Sequence, residues 1–439
     1  MKIAVIGAGI SGLVTARLLR RQHEVDVFEA NDYIGGHTHT VDVRAGQSTV
    51  PVDTGFIVFN DRTYPNFERL LDELGVRSVP TSMSFSVRSD PESLEYNGTS
   101  LNGLFGQRRN LFRPRFYRML SDVLRFNREA PTFLDGARDE ELTVGDYLGQ
   151  FGYGRDFADL YLLPMGAAIW SCPTTTFENF PIAFIIEFYL NHGLLSLRDR
   201  PTWRVVEGGS RVYVECLTDG WRDRIHLDSP IRSVIRADDR VEVRTDSATA
   251  EYDEIIFACH SDQALAILGE SATGTERELL GAFPYEANTA VLHTDRSVLP
   301  RRRRCWASWN YHIHGSTAPK VTVTYLMNQL QHLQTQETYC VTLNDTDQVD
   351  PERIIDRFLY SHPIYTTRRA AIQRRHREVI RVNRTSFCGA YWGNGFHEDG
   401  VNSALRVCEA YGEGLTTSQD AGSAQASVRT DRFPPGEGA

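Results

Sequence analysis

The N-terminal segment MKIAVIGAGISG places a glycine-rich turn directly after a short apolar run. The run predicts a buried parallel strand over residues 4–6, and Gly7 then permits a tight turn. In dinucleotide-binding folds the second glycine, here Gly9, lets a pyrophosphate approach the backbone, and the third, Gly12, lets the helix pack closely on the strand. The helix predicted over residues 11–21 directs its positive dipole end toward the phosphates. This feature predicts a dinucleotide-binding βαβ unit.

Glu29 ends the next apolar run, VDVFEA, where such folds hold the ribose of the nucleotide. A carboxylate there accepts hydrogen bonds from ribose hydroxyls and repels a 2′-phosphate. NADP is therefore disfavoured, whereas NAD and FAD both remain open. A purely structural glycine turn is the alternative, and the order of strand, motif, helix and acidic residue argues against it.

Composition limits the classes of protein that fit. A chain of 439 residues with 41% hydrophobic content predicts two domains, and a net charge of −10 argues against a nucleic-acid partner. The 7 cysteines are scattered without a C-x-x-C pair, which favours a reducing compartment. The first strand starts at Met1 and no apolar run reaches about 20 residues, so we expect no signal peptide and no spanning helix. The prediction is a cytoplasmic protein, at most peripheral to the inner membrane face.

The alternation of helical and strand-like patterns predicts an α/β fold with a Rossmann-like nucleotide domain and a second, α+β substrate domain, both discontinuous. Within the second domain we expect a helical cap that includes an apolar helix over 181–195, and a further helix over 351–360. The predicted boundaries are 1–80, 203–285 and 380–415 for the nucleotide domain, 81–202 and 286–379 for the substrate domain, and 416–439 for a disordered tail.

A second glycine pair, Gly35-Gly36, follows Glu29 closely, and Asp53-Thr54-Gly55 comes after it. This succession resembles the flavin amine oxidase and phytoene desaturase superfamily, in its bacterial NAD/FAD-binding branch. Members follow the glycine pair with Arg or Lys and then a small hydroxyl residue. Here His37 stands in place of that base, which changes the side chain available to the pyrophosphate.

A C-terminal segment, SFCGAYWGNGFHEDGVNSALRVCEA, resembles the closing motif of the same superfamily. There a strand ends in a glycine, here Gly389, and an acidic-glycine pair, here Asp399-Gly400, opens a helix against the flavin. The resemblance implies that the Val401 N–H at the helix start stabilises negative charge on the reduced isoalloxazine. It also implies FAD as cofactor. The implied FAD-binding residues are Gly7, Gly9, Ser11, Gly12, Glu29, Gly35, Gly36, His37, Thr38, Thr54, Gly55, Phe56, Ile231, Gly389, Asp399, Gly400 and Val401.

The catalytic residues are harder to predict, because a flavin performs the hydride chemistry while the protein orients and desolvates. The residues expected to line the reaction cavity are Tyr391, Trp392, His397, Tyr325 and Asn328. Amine oxidases of this superfamily place a lysine near flavin N5, and Lys320 is the sole internal candidate here. No metal is expected, since the pairs His37/His39 and His312/His314 have no third ligand at suitable spacing.

These observations predict an FAD-dependent oxidoreductase that desaturates a hydrophobic lipid or polyene substrate. The apolar helix over 181–195 favours this substrate class, as part of the core or as the wall of a hydrophobic tunnel. Three alternatives stay open. They are a flavin amine oxidase that releases hydrogen peroxide, a non-catalytic lipid-group binding protein like the Rab GDP-dissociation inhibitors, and a non-redox flavin isomerase.

Overall fold

The computed structural model describes residues 1–135, 141–196, 200–315 and 322–415. Its first sheet, called here the nucleotide sheet, has five strands, and every neighbouring pair is parallel. In spatial order these strands are Ile225–His226, Glu24–Phe28, Lys2–Ile6, Glu254–Phe257 and Thr385–Phe387. The sheet therefore draws on three widely separated parts of the chain, and the α/β class predicted from the sequence is confirmed.

Two long helices cover the N-terminal strand. Helix Ile10–Leu19 begins directly after the glycine-rich turn and packs along helix His397–Glu409. Nine of the ten residues of Ile10–Leu19 are buried, because the helix lies between the sheet and that second helix. This double burial explains why the segment is apolar on nearly every face.

A second, mixed sheet of seven strands forms the other half of the molecule. Its order is Ile354–Pro363, Tyr285–His293, Cys340–Leu343, Val323–Leu326, Trp309–Ile313, Phe85–Ser89 and Leu94–Asn97. The helix predicted over 351–360 is wrong: a short turn at Pro351–Arg353 leads into strand Ile354–Pro363, which pairs antiparallel with Tyr285–His293. It is an edge strand with mostly unburied side chains, so it lacks the alternating apolar pattern that identifies a half-buried strand.

Smaller strand groups join the two halves. They are the hairpin Thr40–Ala45/Ser48–Asp53, the group Phe59–Asn60/Trp203–Val206/Ser78–Pro80, and the group Ser233–Arg236/Val241–Arg244/Thr249–Tyr252.

A helical cap lies between residues 114 and 191. Its main helices are Pro114–Asp135, Val144–Gln150, Leu163–Trp170 and Ile182–Asn191, with short turns at Arg155–Phe157, Ala158–Leu162 and Thr174–Phe177. Seven of the ten residues of Ile182–Asn191 are buried, so the apolar helix predicted over 181–195 is a wall of the core. The remaining helices are Pro65–Leu74, Leu101–Leu104, Arg211–Thr218, Ser261–Leu268, Gly274–Leu280, Met327–Leu330 and Arg369–Arg374. Among the described residues no helix combines the length and apolarity that crossing a bilayer requires.

Candidate functional site

The glycine-rich turn is shaped by backbone contact. A Cβ atom on Gly12 would overlap the carbonyl oxygen of Gly7, and Gly7 itself has φ +105°, a conformation that favours glycine. Gly9, in contrast, is not crowded, because a Cβ atom there would have no other atom within 4 Å. Open space therefore lies at the start of helix Ile10–Leu19, which has no side-chain cap and no acidic residue in its first turn. These free N–H groups and the helix dipole favour an anion, as a pyrophosphate requires.

The second glycine pair packs onto this turn. Gly35 N donates to the carbonyl of Ala8 at 3.0 Å, and a Cβ on Gly36, at φ +60°, would lie 3.1 Å from Gly9 Cα. A third segment stacks behind them, since Phe56 N donates to His37 O at 2.7 Å. A Cβ on Gly55 would overlap that same carbonyl. The glycines at 7–12, 35–36 and 55 thus form one backbone cradle, called the flavin cradle below.

Glu29 lies beside the cradle at the end of strand Glu24–Phe28. Its buried carboxylate accepts Ala8 N through Oε2 at 2.8 Å, and Asn31 N and Nδ2 through Oε1 at 3.0 and 2.8 Å. Each carboxylate oxygen accepts more than one bond, so these contacts orient Glu29 and leave room for ribose hydroxyls. Ile231 is buried in the apolar core nearby.

The closing helix meets the first helix at their N-termini. Ser11 Oγ donates to Gly400 O at 3.0 Å, and a Cβ on Gly400 would lie 2.8 Å from Ile10 Cγ2. Asp399 caps its own helix by accepting Phe396 N at 3.0 Å, and burial raises the pKa of its carboxyl to about 6. The prediction that this helix starts near Val401 is wrong. It begins at His397, so the fully buried Val401 lies in the second turn rather than at the free end.

His397 is a buried residue that links the flavin cradle to the closing helix. Its ring stacks on Phe56 at 3.4 Å between centroids, and its Nε2 lies 2.9 Å from Thr38 Oγ1 and 3.1 Å from Tyr213 OH. The hydroxyls of Thr38 and Tyr213 also hydrogen-bond to each other. Burial lowers the pKa of His397 well below its ordinary value, so the ring is neutral. These bonds occupy the ring nitrogen and fix the position of Phe56.

Tyr391 and Trp392 form a tight turn after strand Thr385–Phe387. A Cβ on Gly389 would overlap the Tyr391 ring, which explains the glycine there. Both side chains are buried, and neither Tyr391 OH nor Trp392 Nε1 has a hydrogen-bond partner among the described residues. Both polar atoms are therefore available to hydrogen-bond a ligand that reaches this turn.

The remaining two predicted cavity residues lie in and directly after strand Val323–Leu326 of the seven-stranded sheet: Tyr325 is in the strand and Asn328 is in the short helix Met327–Leu330. Tyr325 packs edge-on against Trp309 at 5.0 Å between ring centroids. Asn328 Nδ2 donates to Thr335 Oγ1 and Glu337 O at 3.0 and 2.8 Å, and its Oδ1 accepts Tyr339 N at 2.7 Å. These bonds use both amide hydrogens to hold a loop. Within the described residues, neither side chain hydrogen-bonds to the flavin cradle.

Three half-buried imidazoles, those of His37, His260 and His362, form a cluster that the sequence pattern did not reveal. The His37 ring lies 6.1 Å from that of His260 and 5.3 Å from that of His362, and its Nε2 is buried without a partner. Burial lowers the pKa of His37 and His260 to about 4 and that of His362 to about 3, so all three are neutral near pH 7. His260 follows the end of strand Glu254–Phe257, the edge where α/β sheets bind ligands, and that position was the available signal.

Asp53 is a second residue whose role the sequence did not reveal. Its fully buried carboxylate accepts Thr40 Oγ1 at 2.6 Å, Ser210 N and Oγ at 2.9 and 2.8 Å, and Gln331 Nε2 at 2.9 Å. Burial raises the pKa of this carboxyl to about 6. Asp53 therefore joins the hairpin beside the cradle to helix Arg211–Thr218 and to the edge of the seven-stranded half.

A scan against family models matches residues 10–410 to the family described as flavin containing amine oxidoreductase. The chain belongs to this family, as its cradle, ribose-side carboxylate and closing helix indicated. FAD is the cofactor, and the open space at Gly9 together with the unpartnered His37 Nε2 fits a bound dinucleotide.

Curated relatives carry different names. A putative flavin-containing monoamine oxidase, AofH, of Mycobacterium tuberculosis is 28% identical over 277 residues, which cover 60% of this chain and 58% of the relative. A zeta-carotene desaturase of Solanum lycopersicum is 40% identical over 76 residues, 17% of this chain and 12% of the relative. The chain thus spans less than two thirds of the length of either relative.

Solved structures share the fold. Cyclohexylamine oxidase from Brevibacterium oxydans IH-35A aligns with a TM-score of 0.66 and 15% identity, covering 94% of this chain and 99% of the other. A CLA-producing fatty acid isomerase from P. acnes aligns with a TM-score of 0.66 and 17% identity, covering 93% and 98%. At these identities the likeness concerns architecture alone.

Proposed function

We propose that this chain is an FAD-dependent dehydrogenase that desaturates a hydrophobic lipid or polyene substrate. The main support is that aromatic residues of the helical cap pack directly on the closing motif. Phe396, which precedes the closing helix, stacks on Phe188 of helix Ile182–Asn191 at 5.2 Å between ring centroids, and Trp170 lies 6.4 Å away. An apolar substrate at this junction meets these rings, and the Arg369 guanidinium, 3.8 Å from the Phe184 ring centroid, is a neighbouring charge.

An aromatic wall extends from this contact into the helical cap. It is defined here as Trp170, Phe177, Phe180, Phe184 and Phe188, all buried. The Trp170 ring lies between 4.8 and 5.8 Å from those of the other four members. Aromatic surfaces of this size bind hydrocarbon by burial, at about 25 cal/mol per Å² of apolar area.

Unpartnered polar atoms lie in the same region. Trp170 Nε1, Tyr189 OH and Tyr365 OH are buried and have no hydrogen-bond partner among the described residues. An unmet buried polar group costs about 1–3 kcal/mol, so such groups in one place favour a ligand that supplies the partner. A hydrocarbon with a single polar end meets both requirements.

The chemistry divides between cofactor and chain. Forming a double bond removes a hydride and a proton from adjacent carbons; bound FAD would supply the hydride acceptor, and the proton would be released to solvent. The chain holds the reacting bond in place and excludes water by means of the aromatic wall.

An anaerobic reduction assay tests the proposal. FAD-loaded protein is mixed with saturated and monounsaturated acyl lipids and with carotenoid precursors, while the visible flavin absorbance is recorded and the products are analysed by mass spectrometry. Loss of the flavin absorbance with a gain of one double bond is expected. A yellow, folded protein that no lipid reduces would refute the proposal.

A matched pair of variants links the activity to the wall. Phe188→Leu shortens a wall residue, whereas Phe112→Leu makes the same change at a residue that is 86% exposed. We expect Phe188→Leu to raise the KM for the lipid several-fold and Phe112→Leu to leave it unchanged. Equal KM values would separate substrate binding from the wall.

Amine oxidation is the second candidate, and the names of several relatives favour it. Amine oxidases of this superfamily typically place a lysine near flavin N5, and the chain has only Lys2 and Lys320. Lys2 lies with its Nζ 4.6 Å from the Tyr252 ring centroid, and Lys320 lies outside the described residues. In Lys320→Met, a sharply slower flavin reduction by amines, with hydrogen peroxide release in the parent, would replace the lipid proposal. Unchanged reduction rates would remove the amine candidate.

A further inference from the structure

A second cluster of ligand-type side chains lies on the seven-stranded sheet. Strand Phe85–Ser89 pairs parallel with Trp309–Ile313, and Asp90 N donates to Ile313 O at 3.0 Å. This register brings Asp90, the first residue past its strand, beside His312 and His314. The sequence could not show the meeting, because Asp90 and His312 are 222 positions apart.

The donor atoms of the three residues converge. One donor atom from each of Asp90, His312 and His314 lies within 4.8 Å of the others. The two imidazole centroids are 3.6 Å apart, and His312 Nε2 lies 2.9 Å from Asp90 Oδ2. Two imidazoles and a carboxylate form the donor set that zinc and related divalent ions prefer.

A further carboxylate holds the second imidazole. His314 Nε2 lies 2.7 Å from Asp345 Oδ2, so this ring is fixed by a carboxylate outside the three-residue cluster. Metal-binding histidines are commonly oriented in this way, with the other ring nitrogen left for the metal. In His312 the other ring nitrogen, Nδ1, is buried and has no hydrogen-bond partner among the described residues, and the side chain is 7% exposed.

The surrounding charges are balanced. Arg88 donates to both oxygens of Asp90, at 3.1 and 3.3 Å, and Arg301 Nη2 lies 3.5 Å from Asp90 Oδ1. The carboxylates of Asp90 and Asp345 offset these two cations. The arginines compete for Asp90, which leaves the two imidazoles as the main contributors to affinity.

We propose that Asp90, His312 and His314 bind a divalent transition-metal ion of the zinc type, with Asp345 as a positioning residue for His314. Three strands separate Trp309–Ile313 from Ile354–Pro363, the strand that carries His362 to the flavin cradle. At about 4.8 Å per strand the two sites are roughly 19 Å apart. The ion therefore fastens two strand ends of the substrate half and takes no part in the redox reaction.

The test measures metal binding to untagged, FAD-loaded protein after removal of metals with a chelator. Zn²⁺ is titrated against a chromophoric competitor, and Co²⁺ is added separately to record its visible ligand-field bands. We expect one Zn²⁺ per chain, a higher Tm with Zn²⁺, and Co²⁺ bands typical of nitrogen and oxygen ligands. The flavin absorbance should stay unchanged.

Two variants isolate the site. His314→Gln alters a side chain that is 21% exposed, so folding is retained, and it should weaken Zn²⁺ binding at least about tenfold. His332→Gln changes an exposed histidine outside the cluster and should bind Zn²⁺ as the parent does. The proposal is overturned if the parent binds no Zn²⁺, or if the two variants bind it equally. Either result leaves the flavin reaction untouched, so this test is independent of the proposed function.

Discussion

The pyrophosphate end and the substrate end of the flavin site are built from different parts of the chain. At the pyrophosphate end, backbone packs on backbone: Gly12 leaves no space above Gly7, and Gly36 lies against Gly9. At the substrate end, side chains pack on side chains, with Phe396 against Phe188 and Trp170. A backbone contact accepts one residue type, whereas an aromatic contact accepts many of similar volume.

This difference separates positions at which a side chain cannot be added from positions at which the packing can change. The backbone-built end holds the dinucleotide and tolerates no added side chain at its closest contacts. The substrate end, which is built from aromatic rings, can be repacked without disturbing the binding of the dinucleotide. We therefore expect substrate choice to reside in the cap.

The largest effect is expected from substitutions of glycines at the pyrophosphate end, where backbone packs on backbone. Gly12→Ala places a Cβ against the Gly7 carbonyl, so we expect loss of FAD and of most soluble protein. Gly9→Ala should fold with an unchanged Tm, since nothing lies within 4 Å of its Cβ, but bind FAD at least about tenfold more weakly, because the methyl occupies the phosphate space. FAD affinity is measured by fluorescence of the free flavin.

A control glycine completes that comparison. Gly149 lies in helix Val144–Gln150 with equally open surroundings, and Gly149→Ala should change neither FAD affinity nor folding, apart from a slight stabilisation. If Gly9→Ala binds FAD as tightly as Gly149→Ala does, the open space at Gly9 is not the phosphate position.

The next effect concerns the junction between the two halves. Asp53→Ala leaves buried donors of Thr40, Ser210 and Gln331 without an acceptor, so we expect a loss of about 4 kcal/mol in the free energy of unfolding. Asp53→Asn keeps one acceptor oxygen and should lose about half as much. Urea denaturation measures both values, and a loss below about 1 kcal/mol in Asp53→Ala would show that the junction is not held by this carboxylate.

A pH effect follows from the imidazoles around His37. Their pKa values are lowered by burial to about 4, 4 and 3, so on acidification the unfolded chain binds protons first. Stability that is complete above pH 6.5 is therefore lost as the pH falls toward 4. Asp53 and Asp399 act in the opposite sense, since burial raises their carboxyl pKa values to about 6. Five further histidines, His192, His293, His312, His376 and His397, also have pKa values lowered by burial and act in the same sense as the three around His37. The imidazoles therefore outweigh the two carboxyls, and the expected net result from pH 7 to pH 5 is a loss of several kcal/mol in the free energy of unfolding.

This loss is measured by urea denaturation at both pH values. His260→Gln removes one titrating ring and should reduce the difference, whereas His332→Gln, at an exposed position, should not. Equal stability of the parent at pH 7 and pH 5 would contradict neutral burial of the cluster.

The smallest effect is expected at the substrate end, where aromatic rings pack on one another. Tyr365→Phe removes a buried hydroxyl that has no partner, so stability should stay within about 0.5 kcal/mol of the parent or rise slightly. The KM for a lipid with a polar end should rise if that hydroxyl meets the ligand. Thermal unfolding and steady-state kinetics give the two values, and a clear destabilisation would reveal a hidden partner for the hydroxyl.

How far the sequence predicted each half depends on the reach of the contacts. The cradle was predictable because Gly7, Gly9, Gly12 and Glu29 act through rules that span about 25 residues. The family assignment and the FAD cofactor, inferred from these and the closing motif, are confirmed by the family match. The domain boundaries and the individual roles of the site residues stay predictions.

The other half depends on long-range pairing. Strand Ile354–Pro363 was mistaken for a helix, and with it the position of His362 beside His37 was missed. Asp90 meets His312 only through strand pairing across more than two hundred residues. Such contacts leave no local periodicity, so a single sequence carries no signal for them.

The bond from Ser11 to Gly400 also sets the order in which a newly made chain can become functional. The first helix leaves the ribosome early, but the helix that covers it is the last one described, 389 positions later. At 5–20 residues per second, that interval lasts on the order of tens of seconds. During that interval the apolar face of the first helix lacks its cover, so the complete flavin cradle forms only after the closing helix has been made.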